Sequence, residues 1–90
     1  MAETEVKLEG VMSIAKVEGL HKDLEEAFRN SLKTTINAKE VERVDTSVLQ
    51  TLSSFIHQMS AGGVEVSWGD VSDEFVAAAK LIGLESALNL

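Results

Sequence analysis

Residues 36–52 read Ile-Asn-Ala-Lys-Glu-Val-Glu-Arg-Val-Asp-Thr-Ser-Val-Leu-Gln-Thr-Leu, and this stretch leads into a helix. A short β-compatible run over residues 34–38 is centred on Ile36, and residues 41–44 then lead into Asp45, Thr46 and Ser47. Asp45 and Thr46 then stand where a helix begins, because their side-chain oxygens can accept hydrogen bonds from the unpaired N–H groups of a first turn. Apolar residues follow at helical spacing, namely Val48, Leu49, Leu52, Phe55, Ile56 and Met59. A strand leading into an amphipathic helix is the repeating unit of an α/β fold.

The residues before this stretch predict a hairpin and a first helix. Residues 5–9 alternate strictly between charged and apolar side chains, which is typical of a half-buried edge strand. Gly10 permits a tight turn, and Met12 and Ile14 resume the apolar alternation, so we expect a second short strand. From residue 17 to residue 32 the period changes to that of an amphipathic helix. Its apolar side consists of Leu20, Leu24, Ala27, Phe28 and Leu32.

The residues after this stretch predict two more elements and a helical tail. Gly62 and Gly63 are expected to end the second helix, and residues 64–68 alternate as a strand that ends in Trp68. Ser72 can cap a third helix, Gly83 can end it, and residues 84–90 can form one more short helix. The order β-β-α-β-α-β-α-α predicts one α/β domain over residues 1–90, with a small mixed sheet of about four strands and helices mainly on one face.

The composition narrows the classes of function. The chain has 90 residues, 44% of them hydrophobic, which suits one globular domain with one core. With no cysteine it has no disulfide, thiolate metal site or cysteine nucleophile. Its net charge of -7 argues against nucleic acid and anionic membranes as partners. The acidic start and the lack of a long apolar run predict a cytoplasmic protein with neither signal peptide nor membrane insertion.

The residues give no sign of catalysis or of cofactor binding. His21 and His57 fall on different predicted helices, and neither has the convergent ligands that a metal ion needs. Gly62 and Gly63 follow a helix and precede a strand, whereas phosphate-binding loops run from strand to helix. Trp68 is interpreted as closing the core, with its indole N–H reaching water or a carbonyl group. We therefore expect a protein that is not an enzyme and that holds no cofactor or metal.

The order of elements and the stretch around Asp45 resemble the STAS family (sulphate transporter and anti-sigma factor antagonist domains). In that family an apolar pair is followed by Asp-Ser-Ser-Gly-Leu at the start of a helix. Asp45 matches the family's Asp, Thr46 its phosphorylatable residue and Leu49 its Leu, whereas Val48 stands where the family usually has Gly. A β-branched residue there is expected to fill space through which a partner approaches. The strand ending in Trp68 and the tail from residue 81 resemble the branch that includes the STAS component of bacterial phospholipid-trafficking transporters.

The resemblance implies a regulatory module that binds protein. Thr46 would be the phosphorylation site, with Ser47 as second choice; capping of the helix is the alternative role of Asp45 and Thr46. The expected docking surface consists of Asp45, Thr46, Ser47, Val48, Gln50, Ser54 and His57. The implied partner is an anti-sigma factor with serine kinase activity, released when Thr46 is phosphorylated. The alternative is a permanent accessory subunit of a transporter ATPase.

Overall fold

The computed structural model describes residues 3–30 and 32–90, which form an α/β domain. Three strands alternate with three helices, and a single 3-10 turn follows the first strand. The elements are β1 (Glu3–Met12), the 3-10 turn (Ile14–Lys16), α1 (Val17–Arg29), β2 (Lys33–Val44), α2 (Thr46–Ala61), β3 (Val66–Val71) and α3 (Asp73–Leu81). The α/β class predicted from the sequence is confirmed.

The sheet has three strands in the order β1-β2-β3, and both pairings are parallel. The predicted hairpin at Gly10 and the resulting mixed, four-stranded sheet are therefore wrong. Gly10 has a φ of 65°, but it lies inside β1, which pairs with β2 on both sides of it. A glycine with positive φ is compatible with an irregular strand as well as with a turn, and the second register shift lies directly after Gly10. The chain therefore continues in one direction and reaches β2 only through α1.

Two irregularities in the β1–β2 ladder explain the pattern of buried residues in β2. The register shifts between Lys7 and Glu9 and again between Gly10 and Val11, so β2 carries extra residues opposite β1. Thr34, Ile36 and Ala38 are buried at every second position, whereas the next buried residue, Val41, comes three positions after Ala38, beyond the first shift. A bulge changes the face to which the following side chains point. It thus keeps the apolar residues of a long strand on the core side.

The core lies on one face of the sheet. Buried residues of all three helices pack in a single cluster with the inward side chains of the strands, among them Leu24 of α1, Leu52 of α2 and Phe75 of α3. A smaller cluster of Ala27, Met59 and Val64 continues it. Burial of this apolar surface is the main stabilising contribution. The prediction that the helices pack mainly on one face agrees with this arrangement.

The opposite face of the sheet is polar. Lys33 in β2 lies between two carboxylates, with Nζ–O distances of 3.8 Å to Glu3 and 3.8 Å to Glu65. Glu5 and Lys7 of β1 are exposed on the same side. Exposed ion pairs contribute little to stability, so this face is expected to matter mainly for solubility.

Glycines end α2 and α3 as predicted. At α2 the N–H of Val64 donates to Met59 (2.8 Å) and the N–H of Gly63 to Ser60 (3.1 Å), with Gly63 at φ 80°. The same pair of bonds follows α3, where Gly83 has φ 73°. Two such bonds with a left-handed residue define a Schellman motif.

The tail after Gly83 is not the regular helix predicted for it. Residues 85–89 form consecutive turns, including a bond of 2.9 Å from the N–H of Leu88 to the carbonyl of Leu84. Leu88 is fully buried, and its carbonyl accepts the indole N–H of Trp68 at 2.7 Å. Tertiary contacts with Trp68 therefore hold the tail, which is too short to form a stable helix alone.

No helix within residues 3–30 and 32–90 has both the length and the apolar character that crossing a membrane requires.

Candidate partner-binding site

Asp45 occupies the N-cap position of α2, but its carboxylate does not cap that helix. The side chain accepts no bond from the first turn of α2; Oδ2 instead accepts the backbone N–H of Ile14 at 3.1 Å. The backbone N–H of Asp45 donates to the carbonyl of Met12 at 2.9 Å. The predicted capping bond is therefore replaced by two bonds that join the start of α2 to the end of β1.

Thr46 is the first residue of α2, and it is exposed. The first backbone N–H groups of a helix have no partner within the helix, and they carry partial positive charge. A phosphate on Thr46 would lie beside these groups, so the helix could accommodate it. The position predicted for modification is thus accessible and chemically suited to an anion.

Ser47 is less accessible than Thr46. Its hydroxyl oxygen is buried, and among the described residues that oxygen has no hydrogen-bond partner. Its backbone carbonyl accepts the hydroxyl of Thr51 at 2.8 Å. Between the two adjacent hydroxyls, Thr46 is the one that an enzyme could reach without changing the fold.

Val48 lies in the core and not on the surface. Its exposed fraction is 0%, so the side chain cannot contact a partner as predicted. Because it is buried, Val48 does not obstruct the start of α2. The replacement of the family's glycine by valine had predicted such an obstruction. Val48 stabilises the first turn of α2 through its packing, and the exposed side of that turn stays open.

The exposed face of α2 carries no formal charge. Thr46, Gln50, Ser54 and His57 are all exposed, and spacings of three and four residues place them on one side of the helix. The helix sequence Thr-Ser-Val-Leu-Gln-Thr-Leu-Ser-Ser-Phe-Ile-His-Gln-Met-Ser-Ala contains no Asp, Glu, Lys or Arg. We call these four residues the α2 face. In a chain with 23 charged residues (8 basic, 15 acidic), a surface helix without any is distinctive.

Ile14 adjoins the N-terminal end of α2, and the sequence did not reveal its exposure. The apolar alternation predicts a place on the core side of a strand, yet 70% of Ile14 is exposed in the 3-10 turn. The bond from its N–H to Asp45 places it beside the first residue of α2. In the sequence, Ile14 is an apolar residue at the point where the alternation ends. This pattern does not distinguish a buried side chain from an exposed one.

A shallow groove of about 450 Å³ runs between α1 and α2. His21 of α1 and Phe55 of α2 meet there edge to face, with ring centroids 4.8 Å apart. His21 also lies 3.5 Å from the carboxylate of Glu25 one turn later. The groove lacks the enclosed shape and convergent polar groups of a small-molecule site. It extends the docking surface beyond the α2 face.

The two histidines do not form a metal site. Among residues 3–30 and 32–90, no three His, Cys, Asp or Glu side chains come close enough to hold an ion. His21 interacts with Phe55, while His57 lies on the exposed side of α2. Both imidazole side chains therefore lie on the surfaces of α1 and α2.

Comparison with known proteins identifies the family and the fold. The model of a protein family described as "Mlab, STAS domain" matches residues 1–90. No curated protein sequence matches the chain. A solved structure described as "Crystal Structure Analysis of Mglu" superposes with a TM-score of 0.66 at 20% identity, over 77% of this chain and 17% of that one. This chain thus spans only a small part of that protein, and the likeness concerns the fold alone.

Proposed function

This chain belongs to the STAS domain family, and from that premise we propose that it is a non-catalytic subunit that docks on a protein partner through the α2 face. STAS domains act as binding modules in protein complexes. The observation that carries the proposal is the uncharged, exposed α2 face in an acidic chain. The centres of protein interfaces are depleted of charged residues, because desolvating a charge is costly.

The partner that we propose first is a transporter ATPase, bound permanently. Two features support it: the matched family is described as "Mlab, STAS domain", and the sequence around Trp68 resembles the transporter branch of the STAS family. An uncharged face next to an exposed isoleucine also suits a lasting complex, since permanent interfaces are more apolar than transient ones. The sequence alone favours the anti-sigma factor kinase as first candidate and the transporter ATPase as second, and this proposal reverses that order.

The second candidate is a switch in which a serine/threonine kinase, itself the binding partner, phosphorylates Thr46. The exposure of Thr46 supports it, as does the burial of Val48, which keeps the approach to the helix start open. A phosphate adds a charge of about -1.5 to -2. Placed in the centre of an uncharged interface, that charge would oppose binding and release the partner.

One experiment tests the docking surface. The tagged full chain is purified from its own cells beside Ser54→Arg, which places a long cation on the α2 face, and the retained proteins are identified. Ser86→Arg is the matched control, because Ser86 is exposed on the tail. We expect an ATPase to be retained by the wild type and by Ser86→Arg but lost from Ser54→Arg. Equal retention by all three proteins would contradict the proposal.

Intact-mass measurement of the same wild-type sample separates the two partners. A permanent ATPase subunit has the unmodified mass under all growth conditions. The switch instead requires a fraction that is heavier by one phosphate and that disappears in Thr46→Ala. A phosphorylated fraction together with a retained kinase would favour the second candidate over the first.

A further inference from the structure

We propose that Ile14 is the apolar anchor of the docking surface, held in position by the carboxylate of Asp45. The proposal rests on the function proposed above and adds a residue outside α2. It also assigns Asp45 a positioning role, because the carboxylate bonds to Ile14 and not to its own helix. The partner is a protein with an apolar socket bordered by uncharged hydrogen-bonding groups.

The first argument is the size of the surface. A stable interface buries about 800 Å² on each partner and involves roughly 20–30 residues a side. The four side chains of the α2 face are too few for this, so the contact must extend to neighbouring elements. At the N-terminal end of α2 the adjacent element is the 3-10 turn, and Ile14 is its large exposed apolar residue, followed by the much smaller Ala15.

The second argument is the chemistry of Ile14. An isoleucine that is 70% exposed leaves most of its apolar surface in water, so burial in a partner's socket is favourable. The α2 face itself offers hydrogen bonds but little apolar area. An apolar anchor beside polar groups provides both affinity and orientation, which is the usual composition of an interface.

The third argument is that the turn bearing Ile14 is fixed before any partner arrives. Asp45 bonds to the turn through Oδ2, which accepts the N–H of Ile14 at 3.1 Å, and to the preceding end of β1 through its own N–H, which donates to Met12 at 2.9 Å. A side chain held in its binding position loses less conformational freedom on association. Asp45 therefore keeps the anchor and the helix start in one arrangement.

Photo-crosslinking in the protein's own cells tests the anchor even before the partner has been identified. A photoreactive phenylalanine derivative replaces Ile14, Gln50 of the α2 face or, as control, Leu81, which is 87% exposed at the end of α3. We expect positions 14 and 50 to crosslink to the same transporter ATPase, identified by mass spectrometry, and position 81 not to. A crosslink from position 50 but not from position 14 would overturn the anchor and leave the proposed function standing. No crosslink from either position would overturn both.

Affinity measurements with the crosslinked protein, once purified, give the second test. Ile14→Ser is expected to weaken binding at least tenfold, and the matched change Leu81→Ser less than twofold. Equal effects of the two changes would show that Ile14 is an ordinary surface residue.

The positioning role of Asp45 has a readout that needs no partner. In Asp45→Ala the amide hydrogen of Ile14 should exchange with solvent at least tenfold faster by NMR. Asp45→Asn keeps an acceptor oxygen and should preserve the slow exchange. Unchanged exchange in Asp45→Ala would exclude the positioning role.

Discussion

At the scale of single residues, three side chains near the start of α2 have three different environments. Asp45 joins two segments, Thr46 faces solvent and Val48 fills the core. A motif that looks uniform in sequence thus contains a positioning residue, an accessible hydroxyl and a packing residue. Substitutions at adjacent positions are expected to have quite different consequences.

Thr46→Glu should fold normally but bind its partner poorly. Thr46 is exposed at the first position of α2, where a carboxylate interacts favourably with the helix dipole, by about 0.3–1 kcal/mol. The same charge in the centre of an uncharged interface should weaken binding at least tenfold. Thermal unfolding and affinity for the isolated partner measure the two effects. Thr46→Ser is the control; a loss of stability in Thr46→Glu would contradict the assignment.

Asp45→Ala should lower the free energy of unfolding by about 1–2 kcal/mol. The change removes a charge-assisted bond to the N–H of Ile14, and bonds of this kind contribute roughly 1.5–3 kcal/mol where they are not solvated. Because Asp45 is exposed, we expect the lower part of that range. Urea unfolding of Asp45→Ala and Asp45→Asn checks this, and the Asn variant should lie closer to the wild type.

At the scale of elements, glycines set where the helices stop and where strands bend. Gly63 and Gly83 have positive φ after α2 and α3, and Gly10 has positive φ within β1. The first two complete the hydrogen bonds of a helix end, whereas the third stands directly before a register shift whose extra residue lies in β2. The same backbone conformation therefore has different consequences, depending on the neighbours that the chain meets.

The change of glycine to alanine should have opposite signs at two positions. Gly63 has φ 80°, and an added Cβ would contact nothing within 4 Å, so Gly63→Ala should cost about 1 kcal/mol through backbone strain alone. Gly19 lies inside α1 and also has nothing within 4 Å of an added Cβ. Gly19→Ala should stabilise by about 0.5–1 kcal/mol through helix propensity. Urea unfolding measures both; equal signs would contradict the assignment of Gly63 as a helix stop.

At the scale of the whole molecule, the helices cover one face of the sheet and leave the other face exposed. All three helices bury apolar residues against the same face, and the tail closes the core beside Trp68 through the bond to Leu88. The start of α2 lies at the carboxyl end of β2, where the bonds of Asp45 also bring the end of β1. Binding sites of open parallel sheets commonly lie at this edge of the sheet.

Leu88→Ala should destabilise the domain by about 2–5 kcal/mol, because it removes a wholly buried leucine side chain from the core. Leu90→Ala is the matched control; Leu90 is 38% exposed, and its loss should cost well under 1 kcal/mol. Thermal unfolding followed by the fluorescence of Trp68 measures both, since the indole contacts this segment. Similar values for the two variants would show that the tail is not part of the core.

The sequence by itself determined the α/β class, the order of the helices, their glycine stops and the place of Thr46 at the start of α2. These features depend on interactions within a few residues: helical periodicity, capping preference and the conformational freedom of glycine. The Ser72 cap, which accepts the N–H of Phe75 at 3.2 Å, is one of them.

Only the tertiary structure decided the remaining features, because each depends on residues far apart in the chain. Gly10 lies beside a register shift within β1 instead of in a turn, because β1 finds a parallel neighbour in β2, some thirty residues later. Asp45 bonds to Ile14 across 31 positions, and Ile14 lies exposed in a 3-10 turn instead of in a strand. An apolar alternation looks the same in the sequence whether the strand turns at its glycine or continues past it. A carboxylate at the N-cap position likewise looks the same whether it caps its own helix or bonds to a distant segment. The arrangement of distant segments selects between them.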